Sequence, residues 1–421
     1  MRQVLDDGKA ETAAAVGASA AAIDPVEALE DALLVAQVLA VGDVSGTSLP
    51  VFDGSTWDPW ANRLLFTAEG ANGGGVWQAT LEVPSSVELL TGILGQGGYE
   101  GIQNDSDGNL WIVEDSGGST ASTAPHARQP NSFVFRFLPA NPRDLKLGGR
   151  LQALRVISRR SGQPIVFHPG QADADVFSAD TADLHTCHLD FPTRWVTVHD
   201  TASDGTTPFN ANAAAKAAGA TPFKRPENGV FRPGSRFREF FFTETGDTNA
   251  LTEAGGSFGG FGGIFRLSQR GPSADEGSLT LFYLGDVAHT GLDNIAFWDR
   301  DHLVAVEDAG DTLHTQRAAF DSAYLFDADE ICARAPVRIL ALGRDPSATL
   351  DSAFSGRAGF QNDGDNEITG FHVSDGDSTP SGILGAKLPH PFEDGWRVFY
   401  TQQHGDNATR EILPAAHGDR D

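Results

Sequence analysis

Acidic residues recur at one kind of place in this sequence, the polar end of a short apolar run. Leu64-Leu65-Phe66-Thr67-Ala68 ends in Glu69, and Leu110-Trp111-Ile112-Val113 ends in Glu114-Asp115. Trp195-Val196-Thr197-Val198 ends in His199-Asp200, Phe240-Phe241-Phe242-Thr243 in Glu244, and Leu303-Val304-Ala305-Val306 in Glu307-Asp308. Val398-Phe399-Tyr400-Thr401 ends in Gln402-Gln403. A second set, Asp53-Gly54, Glu100-Gly101, Asp190, Glu227-Asn228-Gly229, Asp293-Asn294 and Glu367, stands in the turn ahead of each run. Carboxylates brought together without counter-ions cost several kcal/mol each in repulsion and lost solvation. Converging groups of this kind either hold protons or hold hard, oxygen-seeking cations such as calcium or magnesium. A histidine among them would admit iron or manganese. A lone strand-end acid facing water needs no such account, so recurrence carries the reading. The expected metal ligands are Glu69, Glu100, Glu227, Glu244, Asp293, Glu307, Asp308 and Glu367.

The elements that must position these acids are strands. From Val51 onward, short runs of Phe, Val, Ile, Trp and Leu alternate with Gly, Asp, Asn and Pro clusters, which is β texture. The turn-then-strand unit occurs six times, starting near residues 53, 100, 189, 227, 293 and 367. That is roughly one per propeller blade of about 45 residues, with insertions between. A four-stranded blade cannot bury both faces alone; blades around an axis bury each other and leave only short edges. The expected fold is therefore all-β: a six-bladed β-propeller over residues 46–415, with loop insertions, one of them at about 203–223 carrying a short helix. Residues 1–45 are Ala-rich, then acidic and apolar, and are expected to form a partly helical or disordered lead-in. Asp6, Asp7 and Glu11 stand where a signal peptide would be basic.

Composition excludes several classes. The 421 residues carry 30 Lys and Arg against 57 Asp and Glu, a net charge of −27, and only 5 of the cations are Lys. Such a chain repels phosphate backbones, so no nucleic-acid partner is expected. No run of about 18 apolar residues exists to span a membrane. Two cysteines cannot build a disulfide scaffold or a four-thiolate zinc site. Cys187 stands between His185 and His188, a spacing open to a metal, and its pairing with Cys332 is left open.

Several stretches, in order over roughly residues 50–410, resemble the PhoX-type alkaline phosphatases. They are Asp58-Pro59-Trp60-Ala61-Asn62-Arg63 running into Phe66-Thr67-Ala68-Glu69, Arg225-Pro226-Glu227, and Phe242-Thr243-Glu244-Thr245-Gly246-Asp247. Leu292-Asp293-Asn294-Ile295 with Val306-Glu307-Asp308 follow, then Asn366-Glu367-Ile368-Thr369-Gly370 and Tyr400-Thr401-Gln402-Gln403-His404-Gly405. The resemblance implies a six-bladed propeller exported to the periplasm or secreted, acting on phosphate monoesters with several Ca2+ ions and a pair of Fe3+ ions. It departs from the family at one point: a Cys-Glu-Glu sequence, whose Cys binds iron, is replaced here by Phe66-Thr67-Ala68-Glu69. The thiolate is absent, which leaves Fe3+ without that ligand and leaves calcium the firmer expectation. For a phosphatase, Arg225 is expected to clamp phosphate, His404 to protonate the leaving group, and Asn294 to complete the catalytic set. The substrate would be a small phosphate ester and the protein a monomer. The missing thiolate keeps two alternatives open: a calcium-dependent lactonase- or esterase-like hydrolase, and a non-catalytic calcium-stabilised propeller.

Overall fold

The structure is a computed structural model and describes residues 42–70, 74–124, 126–247, 256–308, 320–332, 335–342, 368–383, 387–402 and 408–414. The lead-in expected over 1–45 lies almost wholly outside these residues, as do Glu367 and His404. The fold is mostly β, built from antiparallel sheets.

Strands β1 (Ser55–Asp58), β2 (Arg63–Ala68), β3 (Gly75–Ala79) and β4 (Val87–Leu89) form a four-stranded meander in chain order. A second meander contains β5 (Tyr99–Asn104), β6 (Leu110–Glu114), β7 (Val134–Pro139) and β8 (Gly149–Val156). The long β9 (Asp190–Asp200) follows. Then come β10 (Gly229–Phe231), β11 (Glu239–Glu244), β12 (Gly263–Gln269) and β13 (Glu276–Leu284). The outer strands β8 and β13 both pair with β9, so two meanders merge into one nine-stranded sheet. A further meander runs through β14 (Leu292–Phe297), β15 (His302–Glu307), β16 (Asp321–Asp327) and β17 (Val337–Leu342). The last sheet holds β18 (Ile368–Ser374), β19 (Arg397–Gln402) and β20 (Ala408–Ile412).

Five of the six sequence repeats open a meander, at β1, β5, β10, β14 and β18. The copy near 189 does not: Asp190–Asp200 is one continuous strand bridging two outer edges. Its turn-like Leu189-Asp190 is the start of the strand itself. Alternate burial of Phe191, Thr193 and Trp195 gives it the period of two that a half-buried strand requires.

The first strands of successive meanders touch: β1 meets β5, β5 meets β10, β10 meets β14, and β14 meets β18. Aromatic side chains fill the space between neighbouring sheets. Phe133, Phe135 and Phe137 of one meander pack in a cluster with Leu65 and Val76 of the preceding one. Trp111, Phe240, Phe242 and Phe265 fill another cluster, and Phe241, Phe282 and Phe297 a third. Each buried ring of this size contributes about 1.5–3 kcal/mol, which binds sheet to sheet. Two insertions decorate the β8–β9–β10 region. Residues 157–189 carry short helices Ala172–Val176 and Ala179–Leu184, and residues 201–228 carry Thr201–Asp204 and Ala211–Ala217.

Candidate metal centre

The turn acids come together because their strands begin side by side. Glu100 opens β5, Asp53 precedes β1 and Glu227 precedes β10, and these three strands are neighbours. Glu100 lies in a register shift between Tyr99 and Ile102, and Asp293-Asn294 in the matching shift between Leu292 and Ile295. A bulge of this kind takes residues out of the ladder and re-aims their side chains. The backbones approach closely: a Cβ on Gly54 would lie 2.3 Å from the Glu100 carbonyl oxygen, and one on Gly98 would lie 2.1 Å from that of Asp115. Only glycine fits at these two positions.

Two groups of three carboxylates result. Asp53, Glu69 and Glu100 form one, and Glu100, Asp115 and Glu227 the other, each with ligand atoms within 4.8 Å of one another. Glu100 belongs to both. Glu100 and Glu227 are buried, Asp115 half-buried, and Asp53 and Glu69 reach solvent. Asp53 and Glu69 are nonetheless walled by enough protein for lost solvation to be the first cause raising their pKa values. Glu100 is pushed well above the usual carboxylate range by burial and by the charges of Glu227 and Asp53. It also contacts both Asp53 and Glu69 at hydrogen-bond range. Glu227 is raised likewise by burial and by Asp115, with Asp308 adding to it.

Among the described residues, Arg225 is a cation that faces this cluster. Arg225 Nε donates to Asp115 at 2.9 and 2.8 Å, and Nη2 donates to Asp115 Oδ2 at 2.6 Å. Nη2 also lies 3.2 Å from Glu227 Oε1. Burial alone would lower the Arg225 pKa, but Glu227 and Asp115 overcome it and raise it. Arg225 holds a φ of +56° immediately before Pro226, a left-handed conformation that a non-glycine residue keeps only when its surroundings enforce it.

Of the acids expected from sequence, Glu69, Glu100 and Glu227 meet in these groups, and the charge of Asp308 acts on Arg225 and Glu227. Asp293 and Asn294 sit half-buried at the start of β14, outside both groups. Glu244 and Glu307 are placed differently. Glu244 accepts the Lys224 N–H at 2.7 Å and meets His185 at 2.9 Å. Glu307 accepts the N–H groups of Thr290 and Ser322 at 3.2 and 3.0 Å. Both are fully buried backbone latches. Asp53 and Asp115 were absent from the expected ligand list. The repeat itself held the signal, since Asp53 occupies the turn position of Glu100 and Glu227.

Cys187 is bonded to Cys332, so its sulfur is not available to a metal beside His185 and His188. His199 stacks on Phe209 at 3.9 Å, at the outer strand β9 rather than in the cluster. Both metal groups consist of oxygen donors alone, without His or Cys. That donor chemistry fits calcium, which takes carboxylates and carbonyls.

The family model described as alkaline phosphatase PhoX matches residues 123–338, just over half of the chain. The chain belongs to the PhoX alkaline phosphatase family. The span shared with PhoX proteins contains Arg225, Glu227, Asp293, Asn294 and Asp308, whereas Asp53, Glu69, Glu100 and Asp115 precede it. No curated protein matches the chain. Among solved structures, a crystal structure of a eukaryotic initiation factor is similar at 9% identity, with a TM-score of 0.18. That likeness covers 70% of this chain and 92% of the other, and carries no argument. No described helix of this PhoX family chain is long and apolar enough to cross a membrane.

Proposed function

We propose that this protein is a calcium-dependent hydrolase of small phosphate monoesters. The observation that carries the reading is the pair of carboxylate groups joined at Glu100 and faced by Arg225, in a chain of the PhoX family. The proposed ligands are Asp53, Glu69, Glu100, Asp115 and Glu227, with Asp308 nearby. The sheets are read as blades of a propeller whose first strands line a central axis, with the cluster at one mouth. The contacts between successive first strands support this.

Bound divalent cations would supply positive charge for the phosphoryl oxygens and lower the pKa of an attacking water. The chain's own residues do the rest. Glu100, shared between both groups, sets the spacing of two neighbouring cation positions. Arg225 is held against Asp115 and Glu227 with its guanidinium at the cluster, placed to orient an anionic ester. A net charge of −27 repels a phosphate ester at long range, so the local sign at the mouth must be reversed by what the carboxylates hold. Asn294 and Asp293 stay in this proposal as polar groups at the start of the neighbouring strand. Iron would have to be held without a thiolate, because both cysteines are spent in the disulfide, and among the described residues the two carboxylate groups offer oxygen alone. The same all-oxygen set favours a second reading, a calcium-dependent lactonase in which the cation polarises a carbonyl. An exported, monomeric protein is proposed, and the disulfide supports export, since such bonds persist in oxidising compartments.

The test is metal content by mass spectrometry, with p-nitrophenyl phosphate turnover on the same chelator-free sample. Calcium together with turnover that a chelator abolishes is the expected outcome. Calcium without turnover would sink the phosphatase and leave the lactonase or a non-catalytic calcium-stabilised protein.

A further inference from the structure

The strained Arg225 is held by a set of contacts that begins outside the cluster. The insertion between β8 and β9 ends its second helix at His185. Its Nδ1 lies 2.8 Å from the Thr181 carbonyl oxygen, and its Nε2 lies 2.9 Å from Glu244 Oε2. A carbonyl only accepts, so Nδ1 is the donor to Thr181 and Nε2 is left facing the Glu244 carboxyl group. Both side chains are almost fully buried, at 3% and 1% exposure. There is no slack around the ring, since a Cβ on Gly259 would come within 2.1 Å of Nε2. The other Glu244 oxygen accepts the Lys224 N–H at 2.7 Å, one residue before Arg225. The Thr245 N–H then donates to the Arg225 carbonyl at 2.9 Å. The Lys224 ammonium is pinned beneath by the buried Asp247, 3.1 Å away. Two residues beyond His185, Cys187 is tied to Cys332, whose N–H donates to the Phe282 carbonyl at 2.7 Å.

We infer that His185 and Glu244 are positioning residues that set Arg225 against Asp115 and Glu227, through the backbone of Lys224, with the disulfide fixing the insertion that supplies His185. This deepens the proposed metal-dependent reading and rests on it. An ordinary core contact would end on a core side chain. This one ends on the peptide that fixes the left-handed turn at Arg225. When the strut is intact, Arg225 neutralises two carboxylates and competes with a cation for them. When it is broken, Arg225 leaves, the two acids bind calcium more tightly, and an anion loses its clamp.

The experiment is calorimetric calcium titration of the full chain after chelator treatment, followed by inorganic phosphate titration of the calcium-loaded protein. Arg225→Ala is expected to tighten calcium about tenfold, and His185→Leu at least about threefold, a coupling of ordinary size for groups in one network. The double variant is expected to match Arg225→Ala alone, and phosphate binding to weaken in all three. His185→Gln, which keeps an amide reaching Glu244, is expected to restore calcium affinity toward wild type, whereas the shorter His185→Asn is not. Should His185→Leu fail to fold, the Gln and Asn pair decides. Equal calcium affinity in that pair, an effect of His185→Leu on melting temperature alone, or an added effect in the Arg225→Ala background overturns the inference. Wild-type protein that binds calcium and hydrolyses no ester overturns the phosphatase reading and leaves this inference standing.

Discussion

Glu100 is the residue on which the cluster turns, because it is the one acid common to both carboxylate groups. Its burial is costly for a charged group, and its contacts with Asp53 and Glu69 require a proton or a cation between oxygens. The neighbouring pairs show how the strand ends divide their work. Glu114 points inward, accepting the Phe133 N–H at 3.1 Å and the Asn212 amide at 2.9 Å, while Asp115 on the opposite face meets Arg225. Glu244 is likewise a latch, and the next residue, Thr245, donates to Glu227 Oε1 at 2.7 Å. The recurrence of acids was legible in the sequence, but the choice between adjacent acids was not. Successive side chains of a strand point to opposite faces, and only the packed sheets show which face meets the carboxylate cluster. Glu100→Gln keeps the shape and removes the shared charge. It is expected to weaken calcium binding by at least about tenfold, or about 1.4 kcal/mol. The chelator-treated variant is expected to melt at a higher temperature than chelator-treated wild type, because like-charge repulsion is relieved. A metal-free variant less stable than wild type would mark Glu100 as a structural group instead.

At the level of elements, strands were the easiest features to read. Apolar runs at 64–68, 110–113, 240–243, 303–306 and 398–401 lie within β2, β6, β11, β15 and β19. The repeat near 189 misled because a single long strand, Asp190–Asp200, also begins with an acid after a leucine. Pairing partners are long-range, and nothing local distinguishes an inner strand from an outer one. Joining the elements is a hydroxyl at one repeated position. Thr67 on β2 is fully buried and donates to the Glu100 carbonyl of the next meander, with the Gly54 carbonyl 3.1 Å away. Thr243 on β11 donates to the Asp293 carbonyl at 2.6 Å in the same manner. Both carbonyls belong to bulged residues that have left their own ladder, so the threonine replaces a lost ladder partner. Replacing either by valine keeps the volume and removes a hydroxyl donor, from the carbonyl of the buried Glu100 in one case and of the half-buried Asp293 in the other. Thr67→Val and Thr243→Val are each expected to cost about 1–3 kcal/mol in urea unfolding. Unchanged midpoints in both would show that the bulges are held by other means.

The molecule as a whole combines a large acid excess with a long covalent tie. At −27 the chain repels itself, and a compact state under that load gains from anything that binds it and not the unfolded chain. The Cys187–Cys332 bond spans 145 residues and closes a loop containing β9 to β16. Composition revealed two cysteines but not their pairing, because the contact is made by the insertion at 157–189 docking on sheets built much later in the chain. A loop of this length removes much of the unfolded chain's freedom, worth about 2–5 kcal/mol on the chain-entropy account. Cys332→Ser is therefore expected to lower unfolding stability by that amount at saturating calcium. Because the tie lies beside His185 rather than among the carboxylates, the variant should keep its calcium stoichiometry while its calcium affinity shifts toward that of His185→Leu. Equal stability of the oxidised and reduced wild type, measured by urea unfolding with and without reductant, would remove the bond from the account of both stability and site.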